Sequence, residues 1–386
     1  MISRPAYIPF GRPNFGDEEI EAVTRVIRSG WIGMGPETIA FEQEFSSAVE
    51  APFVVTVNSC TSALFLALLV QGVGKGDEVI CPSLTWCSTA NAAVYLGARP
   101  VFCDIDPKTL CMTPASVQKV LTKRTKAVMV VHFGGRAVDL ESLRSVLPRR
   151  VVIVEDAAHA FGARFRNGRP VGSSGNLTCF SFYANKNLST GDGGAVALAD
   201  AAMADRIRSL RQHALPIDAW KRFTQPQSMM LSNQLSELGY KMNYTDLQAS
   251  LGRVQLARFA KMQRQRERVA DTYARELKSP ALQVTWQADF SSPYHAKHLA
   301  VVRLGSAAVR RGRDALILAL RAKNIGATVH YAPLHTMPLY LAGRPSRPLP
   351  VTEAVAPTLL TLPISASMTV ANARYVSKQL RALLKS

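Results

Sequence analysis

The chain has 386 residues, 47% of them hydrophobic and 19% charged, which is material for a substantial core and length for two domains. Its 46 Lys and Arg outnumber 28 Asp and Glu, a formal net charge of +18 that draws anionic ligands. No stretch approaches the roughly 20 apolar residues of a membrane helix. The first nine residues lack the apolar core of a secretion signal, and no basic–aromatic interleaving, zinc spacing or helix-turn-helix wording points to nucleic acid as a partner.

In chain order, residues 53–69 come first. The β-branched run Phe53-Val-Val-Thr-Val57 passes through a polar turn into an apolar helix, with Thr61 and Ser62 near its start. Free N–H groups and the positive dipole end suit such a terminus to a phosphate, and two hydroxyls add donors. Ser and Thr at a helix start also cap it without any ligand, so both readings stand. The glycine patterns of dinucleotide sites and P-loops are absent. Next, the short strand 79–81 leads through Pro82-Ser-Leu-Thr85 to Trp86, an aromatic that either stacks on a flat ring or packs in the core. His132 closes strand 128–132 and reads as a satisfied buried histidine. Short β-branched runs alternate with helical stretches, among them 116–121 and 140–146, which predicts right-handed crossovers and a mostly parallel sheet.

Val151-Val-Ile-Val154 reads as a strand buried on both faces, with Glu155, Asp156 and His159 at its carboxyl end, where open α/β sheets bind ligands. Asp156 can hold a proton on a heterocyclic nitrogen, as pyridoxal phosphate needs if its ring is to act as an electron sink. The alternative is that the two acids cap a following helix, which explains one of them but not the pair with His159. Residues 181–194 carry an apolar strand into a glycine-rich turn with one lysine, Lys186. An amine there, partly removed from water, loses preference for its charged form and can attack a carbonyl. Ser181 offers a hydroxyl to a phosphate, and Gly191, Gly193 and Gly194 allow close backbone approach to a flat ligand. A solvated surface lysine is the competing reading.

Residues 214–237 have little period and read as a long functional or interface loop. From Asp246 an amphipathic helix runs to about residue 278, with Arg253, Arg258, Lys261, Arg264, Arg266 and Arg268 forming a charge run of the kind that is usually a solvated face. Beyond it, 298–304, 313–323, 328–331 and 368–384 suggest a smaller α+β unit, and 343–350 an exposed loop. The expected division is a large α/β domain, residues 1–255, and a small one, 256–386, joined by the long helix. His330 and Tyr331 are candidates for lining a substrate pocket. The six cysteines, Cys60, Cys81, Cys87, Cys103, Cys111 and Cys179, include no Cys-x-x-Cys pair, so reduced thiols in a cytoplasmic protein are expected, with no metal site.

Eight motifs stand in one order across nearly the whole chain: Gly30-Trp-Ile-Gly-Met-Gly-Pro36, Cys60-Thr-Ser-Ala-Leu64, residues 76–86, residues 96–106, Val131-His-Phe-Gly134, Glu155-Asp-Ala-Ala-His159, Ser181-Phe-Tyr-Ala-Asn-Lys186 and Gly239-Tyr-Lys-Met-Asn-Tyr-Thr-Asp-Leu-Gln-Ala249. Together they resemble the DegT/StrS family of sugar aminotransferases, pyridoxal-phosphate enzymes of the aspartate-aminotransferase fold (fold type I). The wording of 82–86 and 239–246 is similar to the branch that makes 4-amino sugars on a uridine diphosphate carrier. The resemblance implies that Lys186 holds the cofactor covalently and moves the proton, and that Asp156 pairs with the pyridine nitrogen. It implies too that His159 contacts the ring or its phenolic oxygen, Trp86 stacks on it, and Thr61, Ser62 and Ser181 hold its phosphate. Asn243 then reaches in from a second subunit of a homodimer with shared active sites. The implied substrates are a nucleotide-linked keto sugar and L-glutamate, with 2-oxoglutarate released. Cys60 stands where glycine is frequent, and Lys241 with Asn243 replace an Asn-Tyr-Arg wording. A dehydratase of the same fold replaces the lysine with another base, usually histidine, and a non-enzymatic regulator accounts for the charge but not for the Asp, Lys, Ser and Trp set.

Overall fold

The computed structural model describes residues 6–215, 219–224, 235, 237–341 and 347–385. Seven strands, β1 (Phe53–Val57), β2 (Glu78–Pro82), β3 (Arg99–Cys103), β4 (Thr125–Val131), β5 (Val152–Asp156), β6 (Leu177–Ser181) and β7 (Gly194–Leu198), form one sheet in the order β1-β7-β6-β5-β4-β2-β3. Only β7 is antiparallel to its neighbours, β1 and β6; the other pairs are parallel. Such a sheet needs cover on both faces. Helices Cys60–Val70, Cys87–Tyr95 and Ala201–Leu210 pack over Val55, Val79, Met129 and Val154 on one side. On the other, helix Pro36–Val49 lies over Val54, Phe180 and Ala195, while Val128 and Ile153 meet Val301 and Leu359.

Those last two residues belong to a second, antiparallel sheet, β10-β9-β8, of β8 (Val284–Trp286), β9 (Ala300–Leu304) and β10 (Leu359–Leu362). Its core includes Val302 and Leu360 with Leu320 and Leu380 of helices Arg313–Arg321 and Val370–Lys385. The helix Asp246–Glu276 connects the two regions over 31 residues, about 46 Å. Thr245 caps it, accepting from Gln248 N–H while Gln248 returns to the Thr245 backbone. Near its start Arg253 binds Glu37 and Glu44, and Arg258 binds Glu18 and Glu19; toward its end Tyr273 donates to Pro363 O at 2.7 Å.

Five expectations need correction. The basic run of this helix is not one solvated face: Arg253 and Arg258 are ion-paired and Arg266 is buried. Residues 328–331 form no strand, only a bridge between Thr328 and Thr361. The helix expected at 116–121 begins earlier, Pro114–Gln118, because Thr113 caps it with a proline in the first turn. Of the expected loop 214–237, part is the helix Ala219–Thr224 and most lies outside the described residues. Of 343–350, residues 343–346 lie outside them too, Leu349 is buried, and Pro350 starts the helix Pro350–Val355.

Candidate active site

The carboxyl ends of β1, β5 and β6 and the start of β7 meet at one edge of the large sheet, with Gly194 in register with both Val57 and Ser181. A side chain at 194 would come within 2.6 Å of the Ser59 and Cys60 backbone. Glycine here serves that chain-to-chain approach rather than approach to a ligand. A cavity of about 470 Å³ opens at this edge, lined among others by Cys60, Thr61, Trp86, Asp156, His159, Ser181, Lys186, His330 and Tyr331. Segments from distant parts of the sequence, the last from beyond the second sheet's β9, are thereby brought to one hollow.

Strand parity separates the two acids of β5. Asp156 lies on the Val154 side, facing the helix Cys87–Tyr95, whose Thr89 donates to Asp156 Oδ2 at 2.7 Å; Ala158 N–H donates to Oδ1 at 3.1 Å. Burial raises its pKa above the ordinary carboxylate value, against the lowering effect of those bonds and of Lys186. Glu155 lies on the other side, 2.9 Å from His132 Nε2, and accepts from Ser174 and Asn176 as well. These donors outweigh burial and hold its pKa below the ordinary value. Of Glu155, Asp156 and His159, only the last two line the cavity; Glu155 pairs with His132, and Val138 N–H satisfies the other ring nitrogen of His132. A turn, not a helix, follows Asp156, so neither acid is a helix cap.

Lys186 lies in the turn after β6, its N–H bonded to Tyr183 O, and its amine has no hydrogen-bond partner among the described residues. Protein atoms enclose it although some of its surface stays open to the cavity, and this burial lowers its pKa to about 8 against the pull of Cys60 and Asp156. A solvated surface lysine is excluded. Asn185 Oδ1 beside it is buried and also lacks a partner. The helix Cys60–Val70 is capped by Ser59, which accepts from Ser62 N–H, a residue that sequence reasoning passed over in favour of Thr61 and Ser62. Thr61 faces the cavity with its hydroxyl 2.8 Å from Ser88 Oγ. Ser62 donates to Asn58 Oδ1 at 2.7 Å and is not among the cavity-lining residues. The N–H groups of Cys60 and Thr61 have no partner among the described residues, which leaves donors for an anion.

His159 Nδ1 accepts from Gly134 N–H at 3.3 Å, so Nε2 carries the proton and donates to Tyr331 Oη at 3.1 Å. Burial keeps this ring neutral, with its pKa well below the usual histidine value. His298 lies 4.7 Å from it, ring to ring, and contacts Asn187 Oδ1 at 3.2 Å. Trp86 is 59% exposed, which rules out core packing, and its ring stands 5.8 Å from that of Tyr331. Ser181 lines the cavity. Asn243 does not, although its loop is tied to the anion turn through Asn58 N–H and Met242 O at 2.9 Å. Sequence reasoning missed Thr89, Asn185 and His298; the four residues from Pro82-Ser-Leu-Thr85 onward to a helical threonine were the only signal for the first. Among the described residues no group of His, Cys, Asp and Glu could hold a metal ion.

Unbonded helix-start amides, a buried carboxylate and an enclosed amine without a partner in one hollow suit a flat phosphorylated aldehyde with a basic ring nitrogen. Pyridoxal phosphate is such a molecule, and the fold and site together define a pyridoxal-phosphate-dependent enzyme. The chain belongs to the DegT/DnrJ/EryC1/StrS aminotransferase family, whose model matches residues 13–381. It is 42% identical over 340 residues to the spore coat polysaccharide biosynthesis protein SpsC of Bacillus subtilis, covering 87% of this chain and 86% of that one. Among solved structures it is similar to the aminotransferase TlmJ of Streptoalloteichus hindustanus, at 34% identity and TM-score 0.88 over 98% and 99% of the two chains. Another is DesI, determined in the presence of its TDP-sugar product, at 28% identity and TM-score 0.86 over 99% and 94%.

Proposed function

We propose that this aminotransferase converts a keto group of a nucleotide-linked sugar to an amine, with L-glutamate as donor and 2-oxoglutarate released. The carrying observation is Lys186, an enclosed amine without a partner, with a pKa of about 8, in the same cavity as Asp156. The TDP-sugar product of DesI and the polysaccharide role of SpsC support the sugar side. When bound, pyridoxal phosphate supplies an electrophilic carbonyl and an electron sink. Lys186 Nζ, neutral in a useful fraction near pH 8, would hold the cofactor at that carbonyl carbon, the oxygen leaving as water, and when free would serve as the base that moves the substrate proton. Asp156, fixed by Thr89 and Ala158, holds a proton on the ring nitrogen. His159 and Trp86 flank the ring, and Thr61, Ser62 and Ser181 contribute to the phosphate site, Ser62 after turning from Asn58. Asn243 enters the site of a second subunit, which makes the enzyme a homodimer with shared sites. Residues 1–255 and 256–386 act as large and small domains, and free thiols at all six cysteines fit a reducing cytoplasm.

Incubating the holoenzyme with ¹⁵N-labelled L-glutamate and a panel of keto-sugar nucleotides tests this directly: mass spectrometry should find one ¹⁵N amine added to the sugar of one product. Absence of labelled amino sugar across the panel would defeat the substrate assignment. For the shared site, mixing Lys186→Ala with Asn243→Ala subunits should give heterodimers more active than either parent, and verified heterodimers that fail to complement would remove Asn243 from it.

A further inference from the structure

A second hollow, about 600 Å³, lies between the helix Asp246–Glu276 and residues 366–369. Its wall on the helix carries Arg258, Lys261, Arg264 and Arg268, and no Asp or Glu lines it. Arg258 is engaged by Glu18 and Glu19, but Lys261, Arg264 and Arg268 have no carboxylate partner among the described residues. None of the acids of the same helix lines it: Asp246 accepts from Gly35 and Thr38, Glu276 pairs with Arg381, and Glu267 and Asp271 lie outside the lining. Like charges three and four residues apart destabilise a helix, so this segregation works against the element that carries it. A solvated face normally interleaves acids with bases.

The opposite wall adds matching chemistry. Thr369 lies at the start of the 16-residue helix Val370–Lys385, where it accepts from Asn372 N–H, so the positive end of that dipole adjoins the hollow. Met262 and Met368 give an apolar floor. The size is that of a small-molecule site. We propose that this hollow binds a small phosphate-bearing anion with at least two charges, separately from the catalytic cavity. Lys261, Arg264 and Arg268 supply the charge, with the two arginines able to grip phosphate oxygens bidentately. The hollow is already closed by Gln265 Nε2 donating to Met368 O at 2.6 Å and Asn14 Nδ2 to Ala366 O at 3.4 Å. A bound anion therefore ties three chain segments together and stabilises the fold by mass action.

Pyrophosphate is the probe, titrated calorimetrically into the holoenzyme, whose cofactor phosphate site is filled. A saturable site that weakens with salt is expected. Arg264→Gln/Arg268→Gln should weaken it by about tenfold or more, the scale of losing charge-assisted hydrogen bonds, with turnover of the substrate pair unchanged. Arg264→Lys/Arg268→Lys should retain part of the affinity, and Lys378→Gln, at a residue that does not line the hollow, all of it. Thermal melts verify folding of each variant, and pyrophosphate should raise the melting temperature of the parent more than that of Arg264→Gln/Arg268→Gln. Lack of saturable binding to the parent, or equal affinity in the Arg264→Gln/Arg268→Gln variant, overturns the proposal; the latter result assigns the anion to the catalytic cavity.

Discussion

Glu155 and Asp156 are neighbours on one strand and both are buried, yet their surroundings are opposite in kind. On the Glu155 side every strong donor within reach is used: His132, Ser174 and Asn176 close a cage around the carboxylate. On the Asp156 side Thr89 and Ala158 supply one bond to each oxygen, and the remaining capacity faces a cavity with an unbonded amine and an unpartnered Asn185 oxygen. Burial pushes both pKa values up; the three donors of Glu155, helped by the His132 charge, bring it below the ordinary value, while the two donors of Asp156 and the nearby charges leave it above. The difference teaches that unspent hydrogen-bonding capacity, rather than burial or charge, marks where this protein meets its ligand.

The strongest way to break the comparison is at the amine. Lys186→Ala should keep the fold and lower turnover by about 10³-fold or more, since nucleophile and proton carrier vanish together; borohydride reduction and peptide mapping of the parent should label Lys186 and no other lysine. Because burial disfavours the charged form, Lys186 gives up its proton as pH rises through about 8, so cofactor uptake by the apoenzyme should accelerate up to that pH and then level.

Next in size is the contrast of the acids themselves. Asp156→Asn should cost about 10²–10³-fold in single-turnover rate with little loss of stability, the range seen when one preorganised charge partner is removed. Glu155→Gln should do the reverse, costing about 1–3 kcal/mol by urea titration as its buried cage is disturbed, with turnover near that of the parent. Equal catalytic losses in both variants would erase the distinction between cage and site.

Thr89→Val sharpens the same point at smaller scale. Its hydroxyl lowers the Asp156 pKa, so its removal should raise that pKa, move the acid limb of the pH–rate profile upward and reduce turnover by about tenfold. A profile that does not move would leave Thr89 a packing residue.

The remaining contrast concerns acid, and it reads out in stability rather than in turnover. His159, His295 and His298 are held well below the usual histidine value by burial, and His330 lies at about 3. Below about pH 6.5 the unfolded chain takes up protons that these folded rings refuse, so stability should fall as pH drops, by up to about 1.4 kcal/mol per pH unit for each ring. The lowered Glu155 loses its contribution only as pH falls through its own depressed pKa. Urea midpoints at pH 7 and pH 5 measure the loss, and His298→Gln should reduce it; a flat profile would show these rings to be protonated in the fold.

Much of this was written in the sequence. The run Val151–Val154 announces a strand buried on both faces, because β-branched residues in series fit nothing else so well, and the acids beyond it then fall at the ligand-binding edge of a parallel sheet. Lys186 in its glycine-rich turn and Thr61 at a helix start were legible for the same reason: each is a local feature of one strand or helix end. The long helix was legible from its period, and the ordered motifs gave the family before any coordinates.

Tertiary structure alone decided how these local features share their partners. That Thr89 holds Asp156, that Glu155 pairs with His132, and that Tyr331 closes on His159 depend on contacts between segments up to 172 residues apart. The fate of Arg266, buried in a run of exposed cations, is of the same kind. A sequence determines which groups a segment offers and on which face, because strand and helix periods are local; which of those groups is satisfied and which is left for a ligand is fixed only when the faces meet.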